Sequence, residues 1–213
     1  MARLSKAVPQ HAAPPVYYLL EQRDPESIEG LGAALERDCP NGVDVLVCNA
    51  GFAFKGSTFG MVEAMETIAV NYTGTALVCE RLTPLLLASA AANSGAKARV
   101  VNVCSSAGKL AILRSEATRR RFEEAKTRAD VTTLMVDFVK AIQGGIHGEL
   151  FCNSMYGVSK LGQAIYTRIL ARELGDRALV SAVHPGFGRV YDGDRTHSSH
   201  SSSTSALRSS VCA

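Results

Sequence analysis

Four short stretches of the chain are almost wholly apolar, and between them apolar residues return every three or four positions. Short Val-rich runs read as strands, and the longer periodic segments read as helices. Val16-Tyr17-Tyr18-Leu19-Leu20 predicts a buried strand ending at Glu21. Val43-Asp44-Val45-Leu46-Val47-Cys48 is nearly continuous, which predicts a parallel strand covered on both faces. Residues 99–104, with Val100-Val101-Asn102-Val103 at their heart, predict the next strand, and residues 178–183 the last.

The helical signals fall between these runs. Ile28, Leu31 and Leu35 mark a helix that stops before the turn cluster Cys39-Pro40-Asn41-Gly42. Gly30-Leu31-Gly32 lies inside that helix with no third glycine in register, so it is not a dinucleotide loop. Met61, Met65, Ile68 and Tyr72 form one stripe, continued by Leu77 and Leu82, with Asn71 and Gly74 in mid-helix where neither is favoured. A charged segment follows at 116–124, with Glu116 placed to pair with Arg120. Val131, Leu134, Met135, Phe138, Val139 and Ile142 then predict an amphipathic helix stopped by Gly144-Gly145. The last helix runs from Met155 to Leu174, with Val158, Leu161, Ile165 and Ile169 facing a core.

Strands alternating with helices of this length predict an α/β fold with a parallel sheet, whose ligands collect at the carboxyl ends of the strands. Three predicted strand ends carry small polar or glycine-bearing turns: Asn49-Ala50-Gly51, Ser105-Ser106 and His184-Pro185-Gly186. Tyr156 and Lys160 are four apart on the last helix and share a face off its apolar stripe. A cation held beside a phenol favours the phenolate, and such a phenol can exchange a proton with a carbonyl oxygen. Alone, the pair is a weak signal, since Tyr and Lys at this spacing are usually a solvated helix face.

Composition narrows this only a little. A net charge of +3 with 20% charged residues argues for neither nucleic acid nor a membrane surface. The apolar runs are short and interrupted, so no transmembrane span is expected. The six cysteines, at 39, 48, 79, 104, 152 and 212, have no metal-ligand spacing. Cys48 and Cys104 lie in apolar runs and read as core residues, which fits a reducing, cytoplasmic setting. Residues 1–15 read as disordered or misassigned, 16–191 as the folded domain, and 192–213 as a Ser-rich tail too polar to order itself. His197 and His200 in that tail read as solvated rather than metal-binding.

The chain resembles the short-chain dehydrogenase/reductase family, and specifically its carbonyl reductase branch, from about residue 16 to residue 186. The resemblance rests on five motifs in order: Asn49-Ala50-Gly51; Val70-Asn71-Tyr72-Thr73-Gly74; Val101-Asn102-Val103-Cys104-Ser105-Ser106; Tyr156 with Lys160; and Pro185-Gly186. Phe52-Ala53-Phe54-Lys55 and a helical insertion at about 113–150 look like the same branch.

The resemblance implies a Rossmann-like, doubly wound parallel sheet and NAD(P)H-dependent reduction of aldehydes or ketones, with NADP(H) favoured over NAD(H). It casts Tyr156 as the acid, Lys160 as the holder of the nicotinamide ribose, and Ser106 as the hydroxyl facing the substrate oxygen. Asn71 would anchor a water leading to Lys160. Glu21 stands where an adenine-contacting aspartate is usual; Asn49, Ala50 and Gly51 would lie along the adenosine side, and Pro185 and Gly186 near the nicotinamide. The partner implied is a small carbonyl compound, and the insertion, covering the usual dimer face, implies a monomer. Two departures are expected to matter. The first βαβα unit with its Gly-x-x-x-Gly-x-Gly turn has no counterpart, and after Gly186 the positions of a nicotinamide-contacting valine and threonine read Gly188 and Val190, with the C-terminal strand missing. The alternative is therefore a non-catalytic fragment or pseudoenzyme of the family.

Overall fold

The structure, a computed structural model, describes residues 15–93 and 96–186; the readings made for residues 1–14, for Gly188 and Val190 and for the Ser-rich tail lie outside the described residues. Helix α1 (Pro25–Asp38) opens on Asp24, whose carboxylate accepts from the Glu26 amide, with Pro25 in the first turn. Strand β1 (Val45–Cys48) follows, then α2 (Met61–Ile68), a π-helical turn (Ala69–Gly74), and α3 (Thr75–Ala92). Strand β2 (Ala98–Val103) leads through α4 (Glu116–Glu124), α5 (Arg128–Gln143) and α6 (His147–Leu150) to α7 (Met155–Leu174) and β3 (Ala178–Val183).

The three strands are parallel, in the order β1-β2-β3, with Val47 opposite Val101 and Val101 opposite Ser181. Helix α3 packs on β1 and β2, and α7 packs on β2 and β3. Side chains alternate accordingly: Ala98, Val100 and Asn102 of β2 are buried while Arg99 between them is exposed. The opposite face carries Val45, Val47, Leu179 and Val183, with 40%, 54%, 53% and 39% of their surface exposed. The expectation that β1 is covered on both faces is corrected: among the described residues, helices cover one.

Residues 16–20 are the second correction. They form no strand: Val16, Tyr17 and Leu19 are exposed, Tyr18 donates to Asp38 at 2.9 Å, and Leu20 packs against the core. An apolar run becomes a strand only when a neighbour offers it a ladder, and no described strand does so here.

The predicted mid-helix weakness at Asn71 and Gly74 takes the form of the π-turn, which makes Met61–Ala92 a single interrupted rod of 32 residues. By length and composition alone this rod could cross a bilayer, yet it packs as a core helix against α1, α5, α7 and the sheet. A β-carbon on Gly74 would fall 2.4 Å from the Gln22 carbonyl oxygen, so glycine is what lets the segment before α1 cross the π-turn. The residues between β2 and α7 fold as helices. Thr127 and Asp130 close a capping box on α5, and Phe138 and Phe122 pack about Phe151. Tyr72 ties this block to the π-turn by donating to the Arg128 carbonyl at 3.0 Å.

Candidate active site

The carboxyl ends of β1 and β2 meet the first two turns of α7. Ser154 caps α7, its hydroxyl accepting the Gly157 amide at 2.9 Å. Glycine then permits a close seat: a β-carbon on Gly108 would lie 2.6 Å from the Lys160 carbonyl carbon, and one on Gly157 would lie 3.0 Å from the Ala107 carbonyl oxygen. The Ser105-Ser106-Ala107-Gly108 turn therefore rests on α7 where Tyr156 and Lys160 emerge. Within it the Ser105 hydroxyl, half-buried, accepts the Ala107 amide at 3.2 Å, and Ser106 is exposed.

Lys160 is not on a solvated face. It is 3% exposed, and its Nζ donates to the Val103 carbonyl and to Gln163 Oε1, each at 2.8 Å. The ammonium stands 5.9 Å from the centroid of the Tyr156 ring, which is half-buried. Burial pushes the Lys160 pKa below the ordinary lysine range, and the nearby Cys104 pulls the other way. Burial likewise lifts the Cys104 thiol to about 11.

Asn71, fully buried in the π-turn, holds the next loop in place. Its Oδ1 accepts the Phe52 amide at 2.7 Å; its Nδ2 donates to the Phe52 carbonyl at 2.8 Å and to Ser159 Oγ at 2.9 Å. Ser159 in turn donates to the Tyr156 carbonyl at 2.9 Å, linking π-turn and α7. A β-carbon on Gly51 would meet Lys160 Nζ at 3.3 Å and Asn71 Oδ1 at 3.6 Å, so Asn49-Ala50-Gly51 turns over both groups, its own surface exposed. Four of the singled-out positions thus share one small volume: Gly51, Asn71, Tyr156 and Lys160, with the serine turn against them.

The remaining positions are more peripheral. Glu21 is exposed; hydrogen bonds from the Arg23 side chain and backbone hold its carboxyl at about 2. Pro185 and Gly186, just past the end of β3, are exposed, Gly186 at a positive φ of 74°. Sequence reasoning missed Ser159 and Gln163. The sequence offered only a weak signal for them, two polar residues four apart that flank Lys160.

For a dinucleotide, the ribose end finds matching groups here: a buried ammonium with one donor uncommitted beside a glycine that leaves room for close approach. The pyrophosphate does not. Among the described residues no Gly-x-x-x-Gly-x-Gly turn opens a helix, and α1 presents the carboxylate of Asp24 at its N-terminus.

Among the described residues the structure is thus an α/β protein whose parallel sheet carries a tyrosine and a buried lysine at its carboxyl edge. The comparisons give the family. The short chain dehydrogenase profile matches residues 2–117, which includes residues left outside the sequence resemblance and stops before Tyr156. The chain belongs to the short chain dehydrogenase family. It is 36% identical over 186 residues to mouse carbonyl reductase (NADPH) 1, covering 83% of this chain and 64% of that one. It is 37% identical over 183 residues to rat carbonyl reductase (NADPH) 3, covering 81% and 63%. The chain thus spans under two thirds of the length of these relatives. Among solved structures, salutaridine reductase from Papaver somniferum superposes with a TM-score of 0.70 at 23% identity, over 80% of this chain and 68% of that one. Menthone neomenthol reductase from Mentha piperita superposes at 0.66 with 26% identity, over 78% and 68%.

Proposed function

We propose that the described residues form the proton-transfer half of a carbonyl reductase site that reduces aldehydes or ketones with NADPH. The observation that carries this reading is the buried Lys160 ammonium held beside the Tyr156 ring under Gly51. The names of the mouse and rat relatives support NADPH over NADH. NADPH, when bound, would supply hydride to the carbonyl carbon. Tyr156 gives its phenolic proton to the carbonyl oxygen as that oxygen gains charge. Lys160 steadies the phenolate left behind and offers its uncommitted N–H to the ribose. Ser106 donates a hydrogen bond to the same carbonyl oxygen; Ser105, half-buried and one residue nearer the strand, is the second candidate for that bond. Asn71 acts by fixing Phe52 and Ser159, and therefore the wall and the helix between which Lys160 lies; a water held by Asn71 would lead from Lys160 to solvent. Asn49, Ala50 and Gly51, with Glu21, lie toward the adenosine end, and Pro185 and Gly186 toward the nicotinamide.

Helix α5 lies across α7, with Met135 against Gly162, and this cover over α7 supports a monomer. The buried free thiols of Cys48, Cys79 and Cys104 support a reducing, cytoplasmic location. The test is NADPH oxidation in the presence of a panel of aldehydes and ketones, with Tyr156→Phe as the comparison. Carbonyl-dependent oxidation that vanishes in Tyr156→Phe, with the fold kept, supports the reading; turnover that survives the change refutes Tyr156 as the acid. Ser105→Ala and Ser106→Ala in the same assay separate the two serines.

A second reading is a non-catalytic member of the family. It is favoured by the lack of any Gly-x-x-x-Gly-x-Gly pattern in the 213 residues. A folded chain with no cofactor binding and no turnover for any carbonyl is its expected outcome.

A further inference from the structure

Gln163 is fully buried on α7, one turn beyond Lys160, and its Nε2 has no hydrogen-bond partner among the described residues. A buried amide with an unpartnered donor is costly in a core that an apolar side chain of the same size would fill without loss. The other end of the same amide accounts for it: Oε1 accepts from Lys160 Nζ at 2.8 Å. The Val103 carbonyl takes a second ammonium donor at 2.8 Å, from the end of β2. An ammonium has three donors, so two anchors leave one. The group that remains close is the Gly51 backbone, where a β-carbon would lie 3.3 Å from Nζ. Helix α7 is tied to the sheet at this level: the Gln163 backbone carbonyl accepts from Thr167 Oγ1 at 2.7 Å, and Thr167 Oγ1 accepts from Asn102 of β2 at 2.9 Å.

We propose that Gln163 is the positioning residue for Lys160, its Oε1 setting the ammonium so that a single N–H remains for a ligand hydroxyl beside Gly51. The inference rests on reading Lys160 as the cation of the site. An oxygen acceptor also favours the charged form of a lysine that burial would otherwise discharge. The titratable groups facing this ammonium are the Tyr156 phenol on α7 and the Cys104 thiol after β2, with the neutral Val103 carbonyl and Asn71 amide completing the surroundings.

The experiment follows the lysine side chains by NMR through a pH titration of the intact chain, with the Lys160 signal assigned by its loss in Lys160→Arg. Gln163→Met keeps the shape and removes the acceptor; the Lys160 midpoint is expected to fall, with the other lysines unmoved. Gln163→Glu replaces the amide oxygen by a carboxylate, and the midpoint is expected to rise. If Gln163→Met does not fold, the Glu variant decides alone. A Lys160 midpoint that stays at the wild-type value in the folded variants overturns the proposal, even where thermal stability drops, because a purely structural role predicts that result. The titration needs no turnover. Failure of carbonyl reduction bears on the proposed reaction, and an unmoved midpoint bears on Gln163.

Discussion

Gly108 and Lys160 touch backbone to backbone: a β-carbon on the glycine would fall 2.6 Å from the lysine's carbonyl carbon and 2.7 Å from the next amide nitrogen. Neither atom can retreat without moving α7. Gly108→Ala is therefore expected to lever the serine turn away from the helix and to destabilise the chain by about 1–3 kcal/mol, as overpacking does. Urea unfolding measures this. Gly30→Ala is the control: nothing lies within 4 Å of its β-carbon in mid-α1, and that change should be neutral or stabilise by up to about 1 kcal/mol.

Asn71→Ala removes one side chain that satisfies the Phe52 amide, the Phe52 carbonyl and the Ser159 hydroxyl together. Loss of about 1–3 kcal/mol is expected. The distinctive sign is local: amide exchange at Phe52 should accelerate far more than at Val100 in the middle of β2. Equal acceleration at both would mean that Asn71 serves the whole fold rather than this loop.

Binding of NADPH to the chain on its own should be weak. On the proposed reading Lys160 and Gly51 serve the ribose end, but a pyrophosphate draws several charge-assisted hydrogen bonds of about 1.5–3 kcal/mol each from the amides of a glycine-rich strand-to-helix turn, and the 213 residues hold no Gly-x-x-x-Gly-x-Gly pattern. Titration followed by cofactor fluorescence should show no saturation at micromolar concentration. Micromolar binding by a folded monomer would place phosphate donors elsewhere in the sequence and remove the ground for a non-catalytic reading.

Cys104 gives a pH dependence with a definite sign. Its thiol rises from 9.0 to about 11, mainly by burial. Between those values the folded chain keeps a proton that the unfolded chain has lost, so stability present below pH 9 drains away as pH climbs toward 11. A shift of this size corresponds to about 2–3 kcal/mol. Cys104→Ala should flatten the curve of stability against pH over that window, and an unchanged slope would show that the thiol is not the group responsible.

The α/β order, the span of α7 and the placing of β3 were legible because each element's apolar period is unambiguous, and α7 is also bounded by Ser154 and Gly175. Asn71 and Gly74 signalled an interruption, though not that it would be a π-turn, because propensity registers a weak helix without registering its hydrogen-bond pitch. The run at 16–20 misled, since a strand's existence depends on a neighbour that local composition does not contain. Tyr156 with Lys160 was legible as a pair. That the lysine is buried was not, because the cover comes from Val103, Gly51 and Asn71, remote in the chain. Gln163 was missed for the same reason: its partner lies on its own helix, but its burial is set by the sheet.

The valines left open on one side of the sheet make the described chain two-sided, with helices on one flank and an oily, water-facing flank on the other. Such a surface behaves as a phenyl resin does. The chain should be retained on hydrophobic-interaction media under salt conditions that release most proteins of its size, light up environment-sensitive dyes while still folded, and stay dispersed better in mild non-ionic detergent than in buffer alone.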